Sequence, residues 1–430
     1  LGMMVNAIYN LVDAYFVGGL GTSQMGAISV VYPLGQVVVG LGLLFGNGAA
    51  SYLSRLLGKG DKEKANQVAS TALYSSITVG VIMIIFSMIF LHPILKLLGA
   101  TDSIMPYAVT YASIYIVSCI FNVFNVTMNN IVTSEGAAKT TMLALMAGAI
   151  LNIGLDPVFI YVLDMGVAGA AIATAISQII STLVYLTFVL RKKSIYNFRI
   201  KNCTFTKEII SEIFKIGIPT LVFQILTSLS ISLVNTQARP YGDSVIAGMG
   251  AVTRVVSMGS LMVFGFIKGF QPIAGYSYGA KKFDRLHEAI KTSIIWSTAF
   301  CVIYGLVLTI FSKGIISQFT KGDLEMIRVG TQSLRINGIS FMLFGFYTVY
   351  SSLFLALGKG LAGFILGSCR QGICFVPVIL ILPAFWGING ILYVQPIADL
   401  LSAIITIFMA LHLHKELTLT KQKFLSEKTE

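Results

Sequence analysis

Three carboxylates, Asp13, Asp156 and Asp399, stand inside long apolar runs of a 430-residue chain in which only 11% of residues are charged. A charge at the centre of a membrane-spanning helix costs about 3 kcal/mol on insertion scales, so an acid kept at such a place points to function. Asp156 has the richest surroundings. Asn152 lies one helical turn before it on the same face, and Pro157 follows. Proline lacks an N–H, which leaves the carbonyl of Ile153 without its helical partner. A carboxylate, an amide oxygen and a freed carbonyl then converge, and such hard oxygens suit Na+ or a relayed proton. Equal counting from the turn at Asp164–Gly166 sets Thr174 at the depth of Asp156 on the next helix, where its hydroxyl adds an oxygen. Asp13 stands about a turn inside the first apolar run, near the same level. Capping or local pairing at the helix end is its alternative reading. Glu135 and Asp164 fall at run ends, where water is expected to solvate them.

The second half of the chain carries cations instead. Arg254, Lys268, Arg335 and Arg370 lie at or near membrane depth, with Asp399 their obvious acidic partner. Lys268 and Arg370 are expected to snorkel to the interface; a basic surface facing anionic lipid or substrate is the alternative. Met146, Tyr32 and Tyr276 are candidates for an adaptable cavity wall, since methionine and aromatic groups suit varied ligands, or else face lipid.

Other chemistries find little support. His412 and His414 are two residues apart and so point to different sides of a helix, and His92 and His287 complete no ligand spacing. The cysteines number 5 with no C-x-x-C, which reads as small buried apolar groups rather than a metal or redox motif. No glycine-rich phosphate loop and no nucleophile–base pair appear. An ATP-driven pump and a membrane-embedded enzyme are both disfavoured.

The elements that must hold these groups are membrane helices. With 56% apolar residues, windows near twenty residues long recur from end to end. Their continuity excludes an outer-membrane barrel, whose segments are short and alternating. Spans are predicted near 1–17, 26–50, 68–91, 104–132, 140–163, 166–190, 216–238, 246–275, 289–311, 329–357, 361–383 and 387–411. The first looks short because the chain opens inside it, which implies a missing N-terminal segment. Basic residues then decide the sidedness. Twenty-one of the 30 Lys and Arg fall in one alternate set of loops and the tail, against Lys96, Arg239, Lys313, Lys321 and Arg328 in the other set. The positive-inside rule makes the rich side cytoplasmic, both termini included. The net charge of +12 is therefore a topogenic signal that also meets anionic headgroups, not a nucleic-acid footprint.

The halves repeat. At an offset of 220 to 222 residues Gly58 falls on Gly279, Gly136 on Gly358, Pro157 on Pro377, Gly166 on Gly387, Gly169 on Gly390 and Ser181 on Ser402. The charged loop Gly58–Lys64 likewise falls on Gly279–Arg285. Six spans per repeat is an even number, so the repeat is parallel, and a substrate path is expected between the halves. The organisation expected is an N-terminal lobe over 1–190, a cytoplasmic linker over 191–215, a C-terminal lobe over 216–413 and a tail over 414–430.

The segments Asn6–Asp13, Gly58–Asp61, Leu151–Pro157 and Tyr278–Lys281 resemble those of the multidrug and toxic compound extrusion (MATE) family, most closely its MepA-like and DinF-like bacterial branches. The resemblance covers nearly the whole chain. It implies a twelve-helix, two-lobed antiporter of the cell membrane that exports small amphipathic, mainly cationic compounds against Na+ or H+, with no other cofactor and no obligate protein partner. It also implies that Asp13, Asn152, Asp156 and Thr174 form an N-lobe cation site, holding Na+ if that is the coupling ion. The repeat offers a control, because the matching positions are roughly Asn235, Gly372, Val376 and Gln395. The acids are lost in the second half, so coupling is expected in the N-lobe. A lipid-linked precursor flippase of the same architecture is the alternative, resting on Arg254 and Arg335.

Overall fold

The computed structural model describes residues 22–97, 105–241, 243–318 and 324–429, together with Phe16, Leu20, Ala100 and Asp102. Asp13 lies outside the described residues, as do the side chains of Tyr32 and Arg254. Among the described residues the regular structure is all helical. In lipid every backbone N–H and C=O must be satisfied within its own segment, and an uninterrupted apolar run has the helix as its solution.

The chain divides into two compact units, Leu1–Gln224 and Ile225–Glu430. In the first, α1 (Thr22–Lys59), α2 (Lys62–Ile89), the short α3 (Leu91–Leu97), α4 (Met105–Ser134), α5 (Ala138–Pro157) and α6 (Gly166–Leu190) follow one another. Asp61 caps α2 by accepting from the Lys64 N–H at 3.1 Å. The unit boundary falls inside α7 (Lys207–Ala238). The second unit holds α8 (Asp243–Gly279), α9 (Phe283–Ile310), α10 (Ser312–Ser317), α11 (Leu324–Phe341), α12 (Phe344–Ala356), α13 (Gly360–Ser368) and α14 (Phe375–Thr429). Nine described helices are long and apolar enough to span a bilayer, and α11 with α12 forms a tenth, bent by 52°. The last two predicted spans run on as one stretch, turned at Gly387. The first predicted span, 1–17, is outside the described residues apart from Phe16. The polar linker predicted over 191–215 is irregular only to Thr206, apart from a short turn at Ile200–Asn202, and is helical from Lys207.

The repeat is visible in backbone detail. Gly166 and Gly387 both adopt φ 55°, a left-handed conformation open to glycine, and each turns the chain between two spans. A Cβ added at Gly169 would stand 2.6 Å from the Phe159 carbonyl oxygen, and one at Gly390 would stand 2.5 Å from that of Leu382. Both positions must lack a side chain for the hairpin to close. The short helices α3 and α10 also correspond at the same offset.

Within the first unit α1 is the most buried of the described spans. It packs along α4, where Gly42 meets Val126 and Gly46 meets Thr127, small residues allowing close approach as in membrane bundles generally. By contrast α2 exposes Ile82, Ile85, Phe86 and Ile89 along its far half, a lipid-facing surface. In the second unit Phe341 and Phe344 stack at 5.1 Å, and Phe264 meets Phe344 edge-on.

Candidate cation site and its counterpart

The two groups singled out on α5 are both interior. Asp156 is 0% exposed and Asn152 1%, and Asn152 Nδ2 donates to Asp156 Oδ1 at 3.4 Å. The Oδ1 of Asn152 is buried and has no hydrogen-bond partner among the described residues. An unsatisfied buried oxygen costs about 1–3 kcal/mol, so a cation or proton-bearing ligand fits there. Pro157 closes α5, the Val158 N–H turns back to the Leu155 carbonyl, and the chain widens into a π-turn over Val158–Val162. Such turns are frequent at functional sites.

Thr174 is buried on α6, which packs against α5. Ser181 Oγ donates to the Ala144 carbonyl at 2.9 Å, and Gly148 faces the Ser177 carbonyl. Continued for one turn, that antiparallel register sets Thr174 level with Asn152, with Asp156 a turn nearer the Gly166 end. Equal counting from the turn placed Thr174 opposite Asp156. The π-turn over Val158–Val162 and the irregular residues Leu163–Met165 break the even rise that equal counting assumes.

The neighbouring polar ladder was missed in the sequence. Asn125 Nδ2 donates to Gln178 Oε1 at 2.8 Å, Thr182 Oγ1 donates to Asn125 Oδ1 at 2.9 Å, and Asn129 Nδ2 donates to the Tyr185 hydroxyl at 3.1 Å. These bonds lock α4 to α6 along the face that carries Thr174. Asn122, Asn125 and Asn129 at helical spacing were the available signal.

In the second unit the acid has its own cation. Arg370 Nε donates to Asp399 Oδ1 at 2.7 Å, Gln395 Nε2 donates to the same oxygen at 2.8 Å, and Ser340 Oγ donates to Asp399 Oδ2 at 2.9 Å. The Arg370 guanidinium carbon also stands 4.5 Å from the centre of the Phe344 ring. Arg370 was expected to snorkel to the interface. Instead its side chain is only 11% exposed, because the π-turn Cys369–Ile373 presents it to an acid within hydrogen-bond reach. Gln395, the counterpart of Thr174, serves this pair. The two halves thus share a polar position on matching helices and use it differently.

The MatE family profile matches residues 1–158 and 219–381. The chain belongs to the MatE family. It is 31% identical to the multidrug export protein MepA of Staphylococcus saprophyticus, covering 99% of this chain and 94% of that protein. MepA of Staphylococcus aureus is 30% identical over 97% of this chain and 92% of its own length. Among solved structures, the outward-facing conformation of a multidrug resistance MATE family transporter of the MOP superfamily superposes with a TM-score of 0.92 at 26% identity, covering 97% of this chain and 94% of that one. With its series of apolar helices, this MatE protein is a multi-pass membrane protein.

The remaining candidates scatter over the MatE fold. Arg335 is exposed, its carbonyl accepting from Thr309 at 3.4 Å. Met146 and Lys268 are half-buried. Tyr276 sits at the end of α8, where Lys282 and Arg285 approach its ring at 6.0 and 5.9 Å. That position suits contact with an interface better than a cavity.

Glu135 departs from expectation. It was read as solvated, yet Ser194 Oγ and the Ile195 N–H donate to Oε2 at 2.9 and 2.7 Å, and the overlying segment half-buries it. Burial pushes its carboxyl up to about 7, against the hydrogen bonds that favour the charged form. Because the value is raised on folding, this contact contributes most below the ordinary carboxyl range and weakens as pH rises through about 7. Amide exchange at Ile195 and Tyr196, corrected for intrinsic rates, should therefore accelerate several-fold between pH 5 and pH 8. Glu135→Gln should flatten that profile, and an unchanged profile would assign the titration elsewhere.

Proposed function

We propose that this MatE protein is a secondary exporter of small amphipathic, mainly cationic compounds, driven by exchange for Na+ or H+. The observation that carries the reading is the contrast between the units. Asn152 and Asp156 are buried together in the first with an amide oxygen left over, whereas Asp399 in the second is neutralised by Arg370. Only the first set has capacity for a transported cation, and Asp13 and Thr174 complete it in this reading. The MepA relatives are named as multidrug export proteins, which supports the substrate class. The protein resides in the cell membrane with both termini in the cytoplasm, as the loop charges favour.

A cation bound at the N-terminal site biases the carrier only by its different affinity for the outward and inward states. The chain's own contribution is to hold the carboxylate dry, to fix Asn152 against it and to brace α6 through Asn125 and Gln178. The flippase alternative rests on Arg254 and Arg335; Arg335 is exposed, and the Arg254 side chain lies outside the described residues.

Reconstituted protein and ethidium supply the test. Efflux should follow one imposed gradient, Na+ or H+, and should be at least tenfold slower with neither. Efflux indifferent to both gradients, or competition by a lipid pyrophosphate at micromolar concentration, would reject the reading.

A further inference from the structure

The segment between α6 and α7 is a strap with two unlike edges. Its inner edge is stitched to the first unit. Ser70 Oγ donates to the Asn197 carbonyl at 3.1 Å, Tyr74 Oη to the Phe198 carbonyl at 3.0 Å, and the Asn197 N–H reaches Asn66 Oδ1 at 2.8 Å. Further along, the Thr204 N–H donates to Thr71 Oγ1 at 3.0 Å. Tyr196 is buried on this side, its hydroxyl 3.0 Å from Ser134 Oγ.

The outer edge has no such partners. Arg191, Lys192, Lys193, Arg199, Lys201 and Lys207 are all exposed, and among the described residues none of them joins an ion pair. Ile195, Ile200 and Phe205 stand between them with 54%, 70% and 66% of their surface open. The nearby acids Glu208 and Glu212 are already engaged by Lys64 and Arg55.

Depth decides what this edge meets. Counting back from Ile89 along the lipid-facing helix α2, about 20 residues span the roughly 30 Å of hydrocarbon and end near Ser70. The strap is bonded to Asn66, Ser70, Thr71 and Tyr74. It therefore lies where acyl chains give way to headgroups. A soluble acidic protein or a nucleic acid would satisfy the cations and leave the apolar groups wet. Anionic lipid satisfies both, as for interfacial segments that join basic and apolar side chains.

We infer that the strap is a binding surface for anionic phospholipid, its cations on the phosphate headgroups and Ile195, Ile200 and Phe205 among the first acyl carbons. Native mass spectrometry of the detergent-purified protein, given equal phosphatidylglycerol and phosphatidylcholine, tests this. The parent should retain phosphatidylglycerol at least fivefold over phosphatidylcholine. The variant K192Q/K193Q/R199Q/K201Q should lose that preference, while K291Q/K415Q, which removes exposed charge elsewhere, should keep it. I200S/F205S should lower retention at least twofold with every charge in place, and inorganic phosphate at 10 mM should not displace the lipid. The proposal is overturned if the parent shows no preference, or if the strap variant retains lipid as the control does. Displacement by inorganic phosphate overturns it too, since the site would then be one for a free anion.

Discussion

Asp156→Asn is expected to leave the protein folded and inserted while slowing gradient-driven ethidium efflux at least tenfold. Asparagine keeps the shape and one oxygen of the side chain, so the bond to Asn152 at 3.4 Å can be remade from either partner. What disappears is the charge that distinguishes a site with a cation from one without it. A carrier whose two states bind the ion equally gains nothing from its gradient. Dye binding should be largely retained. Asn152→Ala and Thr174→Ala each remove a neutral oxygen and should raise the half-saturating ion concentration several-fold without abolishing transport. If Asp156→Asn pumps at the parental rate while Asp399→Asn is inactive, coupling resides in the second unit.

The largest stability effect should come from that second unit. Arg370→Met strands Asp399 in a buried position where Gln395 and Ser340 cannot neutralise it. Removing one partner of a buried pair costs about 3–5 kcal/mol, whereas replacing both by apolar groups is often neutral. Thermal unfolding in detergent should therefore show a large loss for Arg370→Met and recovery of most of it in Arg370→Met/Asp399→Leu. A single variant as stable as the parent would mean that the pair carries no such burden.

What could be read from the chain depended on how local the signal was. Apolar windows fix spans because a helix is the local answer to lipid, and Gly166 with Gly387 marked the same turn in both halves through composition alone. Asn152 and Asp156 were legible as neighbours one turn apart. The depth of Thr174 was read by counting residues, which assumes an even rise that the π-turn after Pro157 does not keep. Arg370 and Asp399 are 29 residues apart with a helical hairpin between them, so their meeting is set by packing. Glu135 looked like a loop acid for the same reason: its cover, Ser194–Tyr196, is 59 or more residues away.

The stitching of the strap also changes what joins the two halves. Both ends of the strap belong to the first unit, because α7 is itself fastened there by Arg55 to Glu212 at 2.7 Å, Asn47 to Thr220 at 3.0 Å and Gln36 to Gln224. The residues that look like a tether are thus internal to one half. The covalent coupling is the continuous backbone of α7 where it passes from Gln224 to Ile225. A loop transmits only tension, whereas a hydrogen-bonded rod also transmits torque and axial thrust. The chain thus passes from one unit to the next within a helix rather than through a loop, a helix whose ladder lacks the one bond that Pro219 cannot donate.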